Sequence, residues 1–328
     1  QISRLQRGWK YPPGTVFVKT LSLGNVRVET QLLHFDGINW HPYSYLWNDD
    51  QTDANLVEPA GVEKQVQYEL VDGQVLSTNW KVQHRAQCRS CHGRQNGGAV
   101  GFSLENLGDT QISKLIECGV LDRAAPAQWD VATMVNPDDR SKSLDARARS
   151  YLAANCAHCH RRGGGGTVAA DLSYSTGRDQ MNVIDADPSQ GAFGIANAKV
   201  VASGLPLNST LFYRMATSGS GHMPKLGHWD NDRAGLQLVY QWIASLKQSE
   251  SESVPAAHVD EGDTSVALAR FSELLFDEQL TQQQLQATAR EAQLSGTPVT
   301  AALFERFLPI QDRRKRLGNS IDRDALLK

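Results

Sequence analysis

The stretch Ser143-Leu-Asp-Ala-Arg-Ala-Arg-Ser-Tyr-Leu-Ala-Ala-Asn-Cys156-Ala-His-Cys159-His160 runs a helical pattern straight into a cysteine pair with histidine directly behind it. Ser143 suits an N-cap, and Leu144, Ala148, Tyr151 and Leu152 fall at i, i+4, i+7 and i+8, so one helix face delivers Cys156 at its end. The pattern recurs as Cys88-Arg-Ser-Cys91-His92. Two thiols at this separation reach both vinyl groups of one porphyrin, and the next imidazole is then placed under the iron. Each Cys-x-x-Cys-His is therefore expected to attach one haem c. That makes two haem c groups, held by Cys88, Cys91, Cys156 and Cys159, with His92 and His160 as proximal iron ligands. Four thiolates also suit a structural zinc site, but 64 residues intervene between the pairs, against about 15–20 in a zinc ribbon. A redox-active dithiol needs neither histidine.

At 328 residues and 40% hydrophobic composition the chain has room for two or three domains with packed cores. A net charge of −3 gives no reason to expect a nucleic-acid partner. Of five cysteines the motifs consume four, and Cys118 is expected to be a small buried apolar residue. No stretch approaches the roughly 20 apolar residues of a membrane span. Haem c attachment takes place outside the cytoplasmic membrane, so the protein is expected to be periplasmic or otherwise exported. The opening at Gln1 then fits a processed or truncated product.

Residues 14 to 84 read as antiparallel sheet. Val16, Val18 and Thr20 alternate, as do Val26, Val28, Thr30 and Leu32, and Asp36-Gly37 and Asp72-Gly73 are hairpin turn pairs. Trp40, Tyr43, Tyr45, Trp47 and Trp80 add aromatic mass suited to a sheet face or a haem wall. The expected fold is α+β and multidomain. A β-sheet haem c domain spans 1–96, and a connector over 97–142 carries a short helix capped by Asp109 and stopped at Gly119. An all-α unit spans 143–247, with a closing helix after Asp230 whose stripe is Leu236, Val239, Tyr240, Ile243 and Leu246. A serine-rich and acidic linker over 248–265 leads to a helical segment over 266–328. Gly163 to Gly166 lacks the Gly-Lys-Ser/Thr of a phosphate loop and suits a close backbone approach to the porphyrin edge. Asn48 to Asp53 carries oxygen ligands but lacks the glycine and distal glutamate of a calcium loop, so a hydrogen-bonded turn is expected.

Residues 143 to 247 resemble a class I cytochrome c domain through Cys156-Ala-His-Cys159-His160, Met223-Pro224 and the flanking helices. In that likeness Met223, in Ser220-Gly-His-Met-Pro224, is the distal ligand of the second haem, with His222 and Met215 as rivals. Thioether with imidazole raises the potential and suits an electron carrier. More widely, Gly14-Thr-Val-Phe-Val-Lys19-Thr20, Trp47-Asn-Asp-Asp-Gln-Thr-Asp-Ala54, Gln87-Cys-Arg-Ser-Cys-His-Gly93 and Asn155-Cys-Ala-His-Cys-His160 resemble a family of bacterial dihaem c-type cytochromes. Its members are often encoded or fused with quinoprotein-type sugar dehydrogenases in planctomycete-type genomes. The tail, Leu303-Phe-Glu-Arg-Phe-Leu-Pro309 with Arg316-Leu-Gly318, is similar to a segment leading into a further haem c domain. That similarity implies a third domain beyond Lys328 in a longer gene product.

The sheet region is also similar to β-sheet cytochromes c′ and to hydroxylamine-oxidising cytochromes, which keep one haem face open. For the first haem's sixth position His34, His41 and Met134 are candidates, His84 being too close in sequence to fold over the opposite face, and an open site is the alternative. The leading expectation is electron transfer from a dehydrogenase-type redox partner to a downstream acceptor, without catalysis by the chain itself. The alternative makes the first haem a catalytic or sensing centre for nitric oxide, hydroxylamine or peroxide, with the second haem as relay. A third expectation treats the chain as a rigid element of a larger assembly.

Overall fold

The structure, a computed structural model, describes residues 1–4, 9–69, 73, 75–93, 98–122, 132–217, 221–226, 232–247, 272 and 276. It divides into two compact units. The first joins Gln1–Met134 to Ala153–Ser175, and the second joins Val135–Leu152 to the chain from Thr176 onward.

The first unit is built on antiparallel hairpins. β1 (Ser3–Arg4) pairs with β2 (Trp9–Lys10). β3 (Val16–Leu23), β4 (Val26–Phe35), β5 (Trp40–Trp47) and β6 (Ala54–Leu56) form a four-stranded meander, and β7 (Val62–Glu69) with β8 (Val75–Val82) forms a separate ribbon. The β4–β5 turn is set by Asp36, whose Oδ1 accepts the backbone N–H groups of Ile38 and Asn39 at 2.7 Å each. This Asx geometry brings Phe35 opposite Trp40 and His34 opposite His41. On β3 the valines of the alternating pattern face solvent, Val18 at 63% exposure, while Phe17 and Leu21 turn inward. Asn48 closes the next turn, its Oδ1 accepting from Thr52 and Asp53. The β7–β8 turn holds Gly73 at φ 85°, and Asp72 lies outside the described residues.

After β8 the chain enters α1 (Arg85–Cys91), and then α2 (Leu104–Glu117). The helix in the connector begins earlier than Asp109. Ser103 caps it and Gly108, at φ 62°, breaks it, leaving Ile112, Leu115 and Ile116 to pack with Ile2 and Leu121. Gly119, at φ 71°, follows its end in the left-handed conformation common after a helix. Cys118, expected inside, caps that helix and is exposed.

α3 (Leu144–Cys156), whose residues through Leu152 belong to the second unit and whose last turn belongs to the first, and α5 (Arg233–Ser245) form where the periodicity places them. Ser143 Oγ accepts from Ala146, and Asp232, two residues past the expected start, caps α5 through Gly235. Asp230 lies outside the described residues. Leu236, Val239 and Ile243 are buried on α5, as is Trp242, whose indole N–H donates to Asp145 of α3 at 2.9 Å. Gly235 has no room for a side chain, since a Cβ there would come within 2.2 Å of the Tyr151 hydroxyl.

The all-α class I cytochrome c domain expected over 143–247 does not form. Between α3 and α5 the described residues contain only α4 (Thr210–Ala216) and short 3-10 turns at Arg178–Gln180 and Pro206–Asn208. The intervening chain carries Pro188 and Pro206 and left-handed residues at Asn182, Asp185, Phe193 and Asn197, none of which continues a helix. Its backbone groups are paired instead through loop bonds and the isolated parallel bridges Ile184↔Val201 and Lys199↔Ser209. The observed architecture is thus an N-terminal antiparallel sheet region followed by five α-helices among the described residues. The expected linker over 248–265 lies outside the described residues, and so does the expected helical segment over 266–328 apart from Ser272 and Phe276. The Phe276 ring meets Tyr240 at 4.9 Å. No described helix is long and apolar enough to cross a membrane.

Candidate functional site

The first motif occupies α1 and the residue that follows it. Helical spacing puts Cys88 and Cys91 one turn apart on one face. His92 caps the helix with its N–H on the Cys88 carbonyl at 2.9 Å. The His92 Nδ1 lies 2.6 Å from the Gly98 carbonyl oxygen. A carbonyl only accepts, so Nδ1 carries the proton and Nε2 is the ring nitrogen left for a metal, the arrangement that orients a metal-bound imidazole.

Gly98 is itself seated by the sheet. It adopts φ 72°, and a Cβ there would come within 1.9 Å of the Trp40 indole nitrogen. Trp40, 7% exposed, is packed by Phe35 at 4.8 Å, Tyr11 at 5.0 Å and Phe17 at 5.8 Å. The aromatic cluster therefore fixes Gly98, and Gly98 fixes His92. Cys88 lines a small surface recess together with Pro42, Ser44, Val82 and Arg85. Its thiol is pushed up by burial and then by the charge of Glu29. That carboxylate, 2% exposed, accepts from Trp80 Nε1 at 2.9 Å and Gln31 Nε2 at 3.0 Å.

The second motif begins on the last residue of α3. The N–H groups of Cys159 and His160 donate to the Cys156 carbonyl at 3.1 and 2.8 Å, so the helical turn continues through the motif. Gly166 donates to the Cys159 carbonyl at 2.9 Å, and Cβ atoms at Gly164 and Gly166 would lie 2.4 and 2.8 Å from that oxygen. The glycine-rich loop is thus a close wrap around the motif's own backbone, closed by Leu172 N–H on the His160 carbonyl at 2.8 Å. Burial, then the nearby Cys159, pushes the Cys156 thiol up to about 12.

The two motifs, far apart in sequence, meet within the first unit. The donor atoms of Cys91, His158 and Cys159 all lie within 4.8 Å of one another. Burial pushes the Cys91 thiol up, and the neighbouring Cys159 adds to this through its charge and a hydrogen bond. Burial pushes the His158 imidazole down, aided by His160 and His92. Nothing in the local sequence marks His158 as part of such a group, because its companion Cys91 comes from the other motif. All five cysteines are unbonded to one another.

These residues suit covalent haem c at the level of donor chemistry: paired thiols one turn apart, each pair followed by an imidazole, one of them held in the ligating tautomer. The remaining candidates are placed as follows. His41 pairs with Asp36 at 2.7 Å, its ring 6.2 Å from that of His34 across the strands, His84 is exposed ahead of α1, and Met134 is half-buried with its N–H on the Glu105 carbonyl. Met223 belongs to the second unit, in a loop organised by Arg214. The Arg214 carbonyl accepts from Met223 N–H at 2.9 Å and from His222 Nδ1 at 3.1 Å, and its guanidinium donates to the carbonyls of Gly221 and Gln190 above the Phe193 ring. Met215 is half-buried on α4, and Met181 is core. No family model, no curated protein and no solved structure matches this chain.

Proposed function

We propose that the chain is a dihaem c-type cytochrome that carries electrons from a dehydrogenase-type partner to a downstream acceptor outside the cytoplasmic membrane. The observation that carries the reading is the His92–Gly98 hydrogen bond at 2.6 Å, which holds an imidazole in the ligating tautomer directly behind a cysteine pair. Cys88 and Cys91 would hold one haem, and Cys156 and Cys159 the other. His92 and His160 would be the proximal ligands, and Met223 the distal ligand of the second haem. Haem iron supplies one-electron chemistry, with a potential raised by imidazole–thioether ligation. The protein's own part is orientation and exclusion of water: Trp40 seats Gly98, Gly98 aims His92, Gly164 and Gly166 close over the second motif, and Arg214 holds the Met223 loop. The donor fits a quinoprotein-type sugar dehydrogenase, the partner implied by the family likeness.

The cluster of Cys91, His158 and Cys159 favours a second reading, a soft-metal site of the zinc type with two thiolates and one imidazole. One experiment separates the two. The chain is produced with an export leader and a haem c maturation system, assayed for metal by elemental analysis in its native state, then denatured, extracted with acid, and assayed for haem by the pyridine haemochrome. Two haems per chain that resist extraction support the cytochrome. Colourless polypeptide with four unmodified motif thiols and bound zinc overturns it in favour of the second reading.

A further inference from the structure

We infer that Cys91 and Cys159 form a junction at which the two covalently held porphyrins meet edge to edge, so that the haems act as one electronically coupled pair. This rests on the dihaem reading above and adds a spatial claim to it. The argument starts from a covalent constraint. A thioether sulfur is bonded to a vinyl carbon on the porphyrin periphery, so wherever the sulfur sits, the ring's edge begins. The sulfurs of Cys91 and Cys159 lie within 4.8 Å of each other. The two rings must therefore both start from this one spot, whichever way each extends.

Their surroundings agree with this. His158 belongs to the same group of donor atoms, which brings the middle of the second motif against Cys91 as well. Cys91 and Cys159 are both half-buried. Both motifs also belong to one compact unit, which fixes the approach in the fold itself. The exchange this permits passes one electron from a ferrous to a ferric iron, with no bond made or broken and no proton moved. The reductant is the dehydrogenase-type partner.

The test is circular dichroism in the Soret region on the matured, intact protein, with haem content measured on the same sample. A coupled pair gives a bisignate couplet crossing zero at the absorption maximum. The double variant Cys88→Ala/Cys91→Ala keeps only the second haem and should show loss of the couplet, leaving one band of a single sign. Cys156→Ala/Cys159→Ala gives the reciprocal control. Should neither variant mature, electron paramagnetic resonance of the fully oxidised intact protein decides: a spin-coupled, broadened spectrum supports the junction, and two independent ferric haem signals overturn it. A preparation with two haems and no couplet, or with a spectrum equal to the sum of the two variants, overturns the inference and leaves the dihaem reading standing. Absence of haem overturns both.

Discussion

Replacing Gly98 by alanine tests the chain of contacts from the sheet to His92. The backbone there has φ 72°, where an L-residue costs about 1–2 kcal/mol relative to glycine. The new methyl group would sit 1.9 Å from Trp40 Nε1 and 2.1 Å from Cδ1, inside contact distance, so the indole has to move. Trp40 is enclosed by Tyr11, Phe17 and Phe35, and displacing a packed side chain of this kind costs about 1–3 kcal/mol. The expected destabilisation is about 2–5 kcal/mol, read by guanidinium unfolding followed through tryptophan fluorescence. Trp40→Phe removes the indole nitrogen that the methyl group strikes. The Gly98→Ala/Trp40→Phe double variant should then show a coupling of at least about 1 kcal/mol, because the two groups are in contact. A Gly98→Ala cost below about 0.5 kcal/mol, or strict additivity with Trp40→Phe, refutes the reasoning.

Further outcomes are expected elsewhere in the chain. Trp242→Phe on α5 should keep most of the buried area but lose the bond to Asp145, costing roughly 1–2 kcal/mol, while Trp242→Ala should cost about 3–5 kcal/mol; equal losses in thermal unfolding would show that packing matters little there. Asp36 is held well below the ordinary carboxylate value of 3.8 by the Asn39 N–H, then by His41 and the Ile38 N–H. Its contribution to the β4–β5 hairpin is therefore present above that value and is lost as pH falls through the lower folded value. Hydrogen exchange of the Asn39 amide should separate Asp36→Ala from the parent at neutral pH and not in strong acid; a gap that persists in strong acid contradicts this. Under the dihaem reading Met223→Ala should abolish the weak sulfur-to-iron absorption band expected of the oxidised second haem and lower its potential, and a persisting band assigns the ligand elsewhere. Cys118 is exposed, so a maleimide should label one thiol per native chain; under the dihaem reading the denatured chain also takes one label, and five labels count against it.

The parts of this structure that were legible beforehand are governed by neighbours in sequence. Ser143 caps α3, Asp36 turns the β4–β5 hairpin, and the stripe Leu236, Val239 and Ile243 is buried on α5, each following from a spacing of a few residues. Val16 and Val18 show where this reasoning stops, since alternation defines two faces of a strand without saying which one is covered. Cys118 is a similar case: its residue type favours burial, but its place as the cap of α2 puts it in solvent. The span between α3 and α5 departs from expectation for a more general reason. Met223-Pro224 and the two flanking helices match a pattern at isolated points, whereas the loops between them are set by bonds such as those that the Ser203 N–H and hydroxyl donate to Asp185, 18 residues away.

The sequence by itself determined the reactive groups: two cysteine pairs, each one helical turn apart and each followed by histidine, because that spacing is a property of the local backbone. Only the tertiary structure decided that Cys91 lies beside His158 and Cys159, and that His92 is aimed by a carbonyl seated on Trp40. Cys91 stands 67 and 68 residues from His158 and Cys159, and Trp40 stands 58 from Gly98, so no local rule encodes these contacts. They depend on which faces the whole chain buries, since close packing and the pairing of buried polar groups are met only by the assembled fold.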